Sequence, residues 1–87
     1  MTLTFPNLSR SYDARRDLVR FWGYDSALEV AFFVETSALC KLRPETGKLE
    51  AAYLDAFDAA REQILAVAHK VYSQARHGPF LLAEADF

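Results

Sequence analysis

The chain has 87 residues and a formal net charge of −2 at pH 7, which provides no general attraction for nucleic acid or anionic lipid. Its hydrophobic fraction of 52% excludes intrinsic disorder, which requires low hydrophobicity and high net charge. This length allows one domain, residues 1–87.

The first predicted elements are a lead-in and a short strand. Pro6 and Asn7 argue against regular structure in residues 1–8. A strand is predicted over residues 9–12. A turn is predicted to follow over residues 13–16, because the side chain of Asp13 can cap a turn.

A β-hairpin is predicted next. Residues 18–22 are β-branched and aromatic and end at a turn signal over residues 23–26, and residues 27–35 then alternate. One face of the second strand carries Leu28, Val30, Phe32 and Val34. The other face carries Glu29, Ala31, Phe33 and Glu35. We expect an antiparallel pair in which Val19 and Phe21 join the first of these faces over the core.

A short helix is predicted over residues 38–42. Thr36 or Ser37 provides its N-cap, because a hydroxyl oxygen can accept a hydrogen bond from the first turn. Pro44 ends this helix, because the residue before a proline disfavours the helical conformation.

A long amphipathic helix is predicted over residues 47–76, where apolar side chains recur at three- and four-residue steps. Gly47 and Glu50 have the spacing of a capping box, and Gly78 provides a C-terminal stop.

A last strand is predicted over residues 80–82, and residues 83–87 finish as a turn or a fragment of helix. The element order is β-β-β-α-α-β. The fold class is therefore α+β, a small antiparallel sheet packed against one short and one long helix.

The length of the predicted helix suggests self-association. Thirty residues span about 45 Å, whereas a compact chain of this size is roughly 31 Å across. The overhang would expose part of the apolar stripe, which a two-fold homodimer would cover. The expected contact residues are Val67, Val71, Tyr72 and Ala75. The alternative is a break near His69, after which the chain folds back.

No reaction centre is predicted. His69 and His77 are eight residues apart, too far to share a metal on one helix face. Cys40 lies between leucines, where a free cysteine behaves as a small hydrophobe. We predict no catalytic residue, no metal and no cofactor, and we favour a protein that is not an enzyme without excluding one.

Four arginines around the first turn are the one feature that could contact nucleic acid: Arg10, Arg15, Arg16 and Arg20. Neighbouring aspartates cancel much of their charge, so we keep nucleic-acid binding as an alternative and do not expect it. A third alternative is a small-molecule binder or enzyme that uses Trp22, Tyr24, Tyr53 and nearby carboxylates in a cleft between sheet and helix.

A family resemblance extends from about Phe5 to Phe87. The residues that carry it are Ser9, Tyr12, Asp13, Val19, Phe21, Gly23, Glu29, Val30, Phe32, Val34, Ala38, Leu39, Phe57, Arg61, Asp86 and Phe87. In this pattern the chain closely resembles the small bacterial family called domain of unknown function 1488. The resemblance implies a bacterial cytoplasmic protein of α+β type and carries over no catalytic residue, substrate or cofactor.

The location and function expected from the sequence follow from these observations. The chain has no apolar run long enough to cross a bilayer and no secretory signal pattern, so we expect a cytoplasmic protein without membrane association. We expect a non-enzymatic interaction or regulatory module that acts as a homodimer, with a further protein partner unidentified.

Overall fold

The computed structural model describes residues 3–6, 9–74 and 80–87. In these residues one sheet contains the strands β1 (Leu3–Thr4), β2 (Arg10–Asp13), β3 (Leu18–Asp25), β4 (Leu28–Glu35) and β5 (Phe80–Leu82). The helices are α1 (Thr36–Leu42), α2 (Glu50–Ala59) and α3 (Arg61–Gln74), and a 3₁₀ turn spans Glu84–Asp86. The α+β class predicted from the sequence is confirmed.

The β3–β4 hairpin is the centre of the sheet. Its strands are antiparallel, and Trp22 lies opposite Ala31 in the middle of the register. The other edge of β3 pairs with β1 at one end and with β2 along the rest, both antiparallel. On the far side of β4, β5 runs parallel to it, with Phe80 opposite Phe32.

The sheet is therefore mixed, whereas the sequence predicted an antiparallel one. Three helices separate β4 from β5, and this long crossover allows the chain to return in the same direction, as parallel pairing requires.

The core lies between one face of the sheet and the helices. Val19, Phe21 and Phe32 are at most 1% exposed, and they pack with the fully buried Phe57 and Ile64 from the helices. The alternation in β3 and β4 thus predicted the core face correctly. Leu28 is the exception, since it begins β4 and stays 66% exposed.

The long helix predicted over residues 47–76 is divided at Ala60. This residue has φ −107° and ψ 15°, away from helical values, although no proline or glycine stands near it. Phe57 of α2 packs on Phe21 of β3 with ring centroids 5.1 Å apart, and Tyr72 of α3 packs on Phe80 of β5 at 5.2 Å. Two helices can thus each pack on a different part of the sheet, where one straight helix of about 45 Å would overrun a body 36 Å long.

Both predicted helix starts are wrong. The first helix begins at Thr36, with Glu35 at the N-cap and no side-chain capping bond. The second begins at Glu50 with Leu49 at the N-cap, so Gly47 plays no capping part. In both cases the residue before the helix has an extended backbone and makes no capping bond. The helix is therefore stabilised mainly by tertiary packing. Gly78 lies outside the described residues.

Two corrections concern the N-terminal half. The lead-in contains β1, because Leu3 and Thr4 pair with the last residues of β3. Gly23 lies inside β3, where the backbone oxygen of Thr4 is 2.6 Å from the position a Cβ atom would take. The turn comes later, at Ser26, which adopts a positive φ of 57°.

Candidate functional site

The face of the sheet opposite the helices has no helical layer in the part of the chain that the structure describes. Because side chains alternate along a strand, the residues between the core positions of β3 and β4 point to this side. We call this surface the open face. Its central residues are Arg20, Trp22, Tyr24, Glu29, Ala31, Phe33 and Leu81.

The strand register arranges these side chains in rows across the open face. Trp22 and Ala31 form the middle row. Arg20 and Phe33, continued by Leu81 on β5, form the row on one side. Tyr24 and Glu29 form the row on the other side.

The middle of the open face is apolar and incompletely buried. Leu81 is 44% exposed, and Trp22 and Phe33 are half-buried. The guanidinium carbon of Arg20 lies 5.3 Å from the centroid of the Trp22 ring, a cation–π contact that positions the charge beside the apolar rows. The centre of the open face thus combines aromatic surface with the cation of Arg20 and the carboxylate of Glu29.

The four arginines that the sequence placed together are distributed over different surfaces. Arg10 lies on the helix side, where its Nε and Nη2 atoms donate hydrogen bonds of 3.0 and 2.8 Å to the carboxylate of Asp58. Arg20 lies on the open face. Arg15 and Arg16 lie at the β2–β3 turn and are exposed.

Asp58 connects β2 with the junction of α2 and α3. Its Oδ1 atom also accepts a 2.8 Å hydrogen bond from Arg61. Partial burial raises the pKa of Asp58, but the hydrogen bonds from Arg10 and Arg61 outweigh it, so the pKa lies below the ordinary value of 3.8. The ionised carboxylate is therefore a structural link, and Arg10 is engaged in it.

Asp13 interacts with both arginines of the β2–β3 turn. The Oδ1 atom of Asp13 accepts hydrogen bonds from the backbone N–H groups of Arg15 and Arg16 at 3.0 and 3.3 Å. Arg16 also approaches the same carboxylate at 3.8 Å. The aspartate caps the turn as the sequence predicted, and it reduces the local positive charge.

The family assignment comes from sequence comparison. A family model described as Protein of unknown function (DUF1488) matches residues 3–82. The chain belongs to the DUF1488 family. This confirms the resemblance found in the sequence. Among curated proteins, none matches the chain.

A solved member of the DUF1488 family has the same fold. It is the crystal structure of a protein of unknown function from Shewanella loihica PV-4, and the two structures superpose with a TM-score of 0.81. The match covers 92% of this chain and 90% of that chain at 17% sequence identity. At this identity the likeness establishes the fold alone.

The residues predicted to form a dimer contact lie on or next to α3. Tyr72 packs against Phe32 and Phe80 of its own sheet, and Val67 and Val71 are half-buried against the same core. Ala75 lies outside the described residues. Because α3 lies over the sheet of its own chain, the overhang that motivated a contact here is not present in the described part of the helix.

The aromatic residues of the predicted cleft lie on opposite faces of the sheet. Trp22 and Tyr24 alternate with core residues of β3 and belong to the open face. Tyr53 is buried in the core on the helix side and stacks on Tyr12, with ring centroids 5.4 Å apart. The structure therefore does not bring these three residues together.

The residues considered for metal or redox chemistry are separate. His69 is exposed and contacts the Phe5 ring, and Cys40 is half-buried on α1. His77 lies outside the described residues. Within the described ranges, no three His, Cys, Asp or Glu side chains are grouped so as to hold a metal ion. In the same ranges, no helix is long and apolar enough to cross a membrane.

The sequence reasoning missed the open face as a site. The alternation of β4 could have indicated it, because Ala31 and Phe33 are apolar although they lie on the side away from the core, between Glu29 and Glu35. A solvated face usually carries polar residues at such positions. The contribution of Leu81 depends on the pairing of β5 with β4, which local sequence does not encode.

Proposed function

We propose that this member of the DUF1488 family is a non-enzymatic interaction or regulatory module that acts as a homodimer in the bacterial cytoplasm, with the open face as its contact surface. The observation that carries the proposal is the apolar centre of the open face, formed by Trp22, Ala31, Phe33 and Leu81 on three adjacent strands. Contiguous exposed apolar surface on a small domain marks a contact site.

The shape of the open face favours a protein partner over a small molecule. Small-molecule sites are concave and enclose most of the ligand, whereas a sheet face without a second layer is broad and shallow. Sheets that pack face to face interdigitate the side chains of the facing surfaces about 10 Å apart, which is the contact this surface can make.

The chemistry of the open face also favours protein contact over nucleic acid. Aromatic residues and arginine are enriched in protein interfaces, and Trp22, Phe33 and Arg20 are of these types. Glu29 on the same face would repel phosphate groups.

Light scattering on the eluting protein tests the proposal. At tens of micromolar we expect about twice the 9.9 kDa mass of the chain. Trp22→Ser and Leu81→Ser are expected to shift the mass toward that of the monomer, because each removes apolar surface from the contact.

Leu49→Ser is the matched control, since Leu49 is 75% exposed and precedes α2, away from the open face. It should leave the dimer intact. A wild-type protein that elutes as a monomer would refute the proposed function. A dimer that tolerates both open-face substitutions would refute the proposed surface.

Nucleic-acid binding remains the second candidate, supported by the exposure of Arg15 and Arg16 at the β2–β3 turn. This candidate predicts a salt-dependent mobility shift of labelled DNA or RNA. The double variant Arg15→Glu, Arg16→Glu should abolish the shift. No shift at low salt would eliminate this candidate.

A further inference from the structure

We propose that the two copies in the homodimer are related by a two-fold axis that lies along the Trp22–Ala31 row of the open face. The inference rests on the proposed function and specifies which residues meet. It follows from the positions of Arg20 and Glu29 on either side of that row.

The two charges are placed symmetrically about the row. Arg20 precedes Trp22 by two residues on β3, and Glu29 precedes Ala31 by two residues on the antiparallel β4. Each charge is therefore about 7 Å from the row along the strands, in opposite directions. A two-fold axis along the row exchanges the Arg20–Phe33 row with the Tyr24–Glu29 row.

The symmetry operation brings opposite charges together. When a second sheet is placed face to face about this axis, Arg20 lies over the partner's Tyr24–Glu29 row. The lateral offset between Arg20 and the partner's Glu29 is at most about one strand spacing, or 4.8 Å, which an arginine side chain can span. Because a two-fold contact is reciprocal, the same pair forms twice.

The middle row of the open face lies on this axis. Trp22 and Ala31 meet their own copies at the centre, where an interface is most completely desolvated. The row at the far end, with Glu35 opposite Leu18, is four residues from the axis. The symmetry places that row over the partner's β3–β4 turn, so Glu35 lies over neither charged residue of the partner's open face.

The size of the open face predicts a weak dimer. The rows that both copies share reach about three residues on either side of the axis, or about 20 Å along β3 and β4, and four strand widths span about 19 Å, so the projected area is at most about 400 Å² per copy. This area is in the range of weak, transient contacts. We therefore expect dissociation in the micromolar range.

A charge exchange tests the axis. Arg20→Glu and Glu29→Arg each replace two attractions by two repulsions, so each alone is expected to raise the dissociation constant about tenfold or more. The double variant restores opposite charges with their positions exchanged. Its dissociation constant should return to within roughly threefold of the wild type, since the contact geometry is kept.

Glu62→Arg is the matched control, because Glu62 is exposed at the start of α3 and the charge change equals that of Glu29→Arg. It should leave the dissociation constant unchanged. Sedimentation velocity over a dilution series gives the constants, and circular dichroism confirms that each variant is folded.

Fluorescence gives an independent measure, since Trp22 is the only tryptophan in the chain. Dilution of the wild type through its dissociation constant should shift the emission maximum to longer wavelength as the indole at the axis becomes hydrated. The same shift should occur at higher concentration for Arg20→Glu.

The outcomes separate the axis from the function. A dimer that Trp22→Ser dissociates but that neither charge reversal weakens would overturn the axis and leave the proposed function standing. Weakening by both single variants without recovery in the double variant would also overturn the axis. A monomeric wild type, or dissociation without a change in Trp22 emission, would overturn both proposals.

Discussion

The hydroxyl group of Tyr72 donates a 2.6 Å hydrogen bond to the Oδ2 atom of Asp25, and this bond joins α3 to the end of β3. The Tyr72 ring also packs on Phe32 and Phe80, on β4 and β5. One side chain thus holds α3 to three strands of its own sheet.

The first prediction concerns the alkaline stability that this bond provides. The hydrogen bond to Asp25, together with partial burial, raises the pKa of Tyr72 above its ordinary value of 10.0. The neutral phenol therefore stabilises the fold fully below pH 10, and this contribution is lost as the pH rises through the raised pKa. We expect Tyr72→Phe to lower the urea midpoint at pH 8.

The difference in midpoint between wild type and Tyr72→Phe should shrink as the pH rises above 10 and through the raised pKa of Tyr72, because the wild type then loses the bond. Urea titrations at a series of pH values measure it. Asp25→Ala removes the acceptor, and in that background Tyr72→Phe should have a smaller effect. A pH-independent difference between wild type and Tyr72→Phe would contradict the role of this bond.

The second prediction concerns acid stability. Because the pKa of Asp58 is lowered in the folded state, its ion pairs with Arg10 and Arg61 stabilise the fold above about pH 4. This stability is lost as the pH falls through the lowered pKa. Since 43% of the Asp58 side chain is exposed, solvent screens both pairs, and Asp58→Asn should cost about 1 kcal/mol at pH 7.

The urea-derived free energies of unfolding of wild type and Asp58→Asn should converge as the pH falls through the lowered pKa of the wild-type carboxyl group. Asp55→Asn is the control, because Asp55 is an exposed aspartate of the same helix, one turn earlier. Equal losses in the two variants at pH 7 would argue against a specific link through Asp58.

The third prediction concerns the close approach of β1 to Gly23. A Cβ atom there would lie 2.6 Å from the Thr4 backbone oxygen and 2.8 Å from the Phe5 ring, so β1 would have to move. We expect Gly23→Ala to lower the free energy of unfolding by about 1–3 kcal/mol. Hydrogen exchange should also become faster at the amides of residues 3 and 4.

Gly47→Ala provides the comparison, since a Cβ atom at Gly47 would have the Ala52 Cβ as its nearest neighbour, at 3.7 Å. That substitution should be nearly neutral. If Gly23→Ala were equally neutral, the tight packing of β1 would be disproved.

The fourth prediction concerns the β3–β4 turn, where Ser26 has a φ of 57°. This conformation strains a residue that has a Cβ atom and does not strain glycine. Ser26→Gly should raise the free energy of unfolding by about 0.5 kcal/mol, after allowance for the greater freedom of glycine in the unfolded chain. Ser26→Ala keeps the strain and should give no gain in thermal or urea unfolding, whereas a gain equal to that of glycine would exclude relief of strain as the cause.

The elements that the sequence predicted well are those with local patterns. The alternation in residues 18–35 identified the hairpin and its core face, and residues 80–82 were identified as a strand. The orientation of β5 and the pairing of the two-residue β1 depend on contacts distant in sequence, so no local pattern specifies them.

The break at Ala60 has a different cause. An alanine-rich segment favours helix at every position, and the interruption results from packing on a sheet shorter than the uninterrupted helix. The sequence did contain one indication against a continuous helix, because a predicted helix of about 45 Å is longer than a globule of roughly 31 Å. The helix breaks between Phe57 and Ile64. This position could not be predicted without knowing which core residues these two side chains contact.

The candidate site was predictable only in part. Arg10 and Arg20 lie on adjacent strands, but their side chains point to opposite sides of the sheet because they occupy alternate positions in the register. Phe33 was identified on the outer face, although the row that joins it to Arg20 and Leu81 depends on the register of three strands.

The parallel pairing of β4 with β5 also has a consequence for the order of folding. The β3–β4 hairpin closes a short loop, whereas Phe32 and Phe80, which lie opposite each other in β4 and β5, are 48 residues apart. The entropy of closing the longer loop delays this contact, so we expect the hairpin to form early and β5 to join last. Until it does, the edge of β4 lacks hydrogen-bond partners and is the part of the nascent chain most exposed to aggregation.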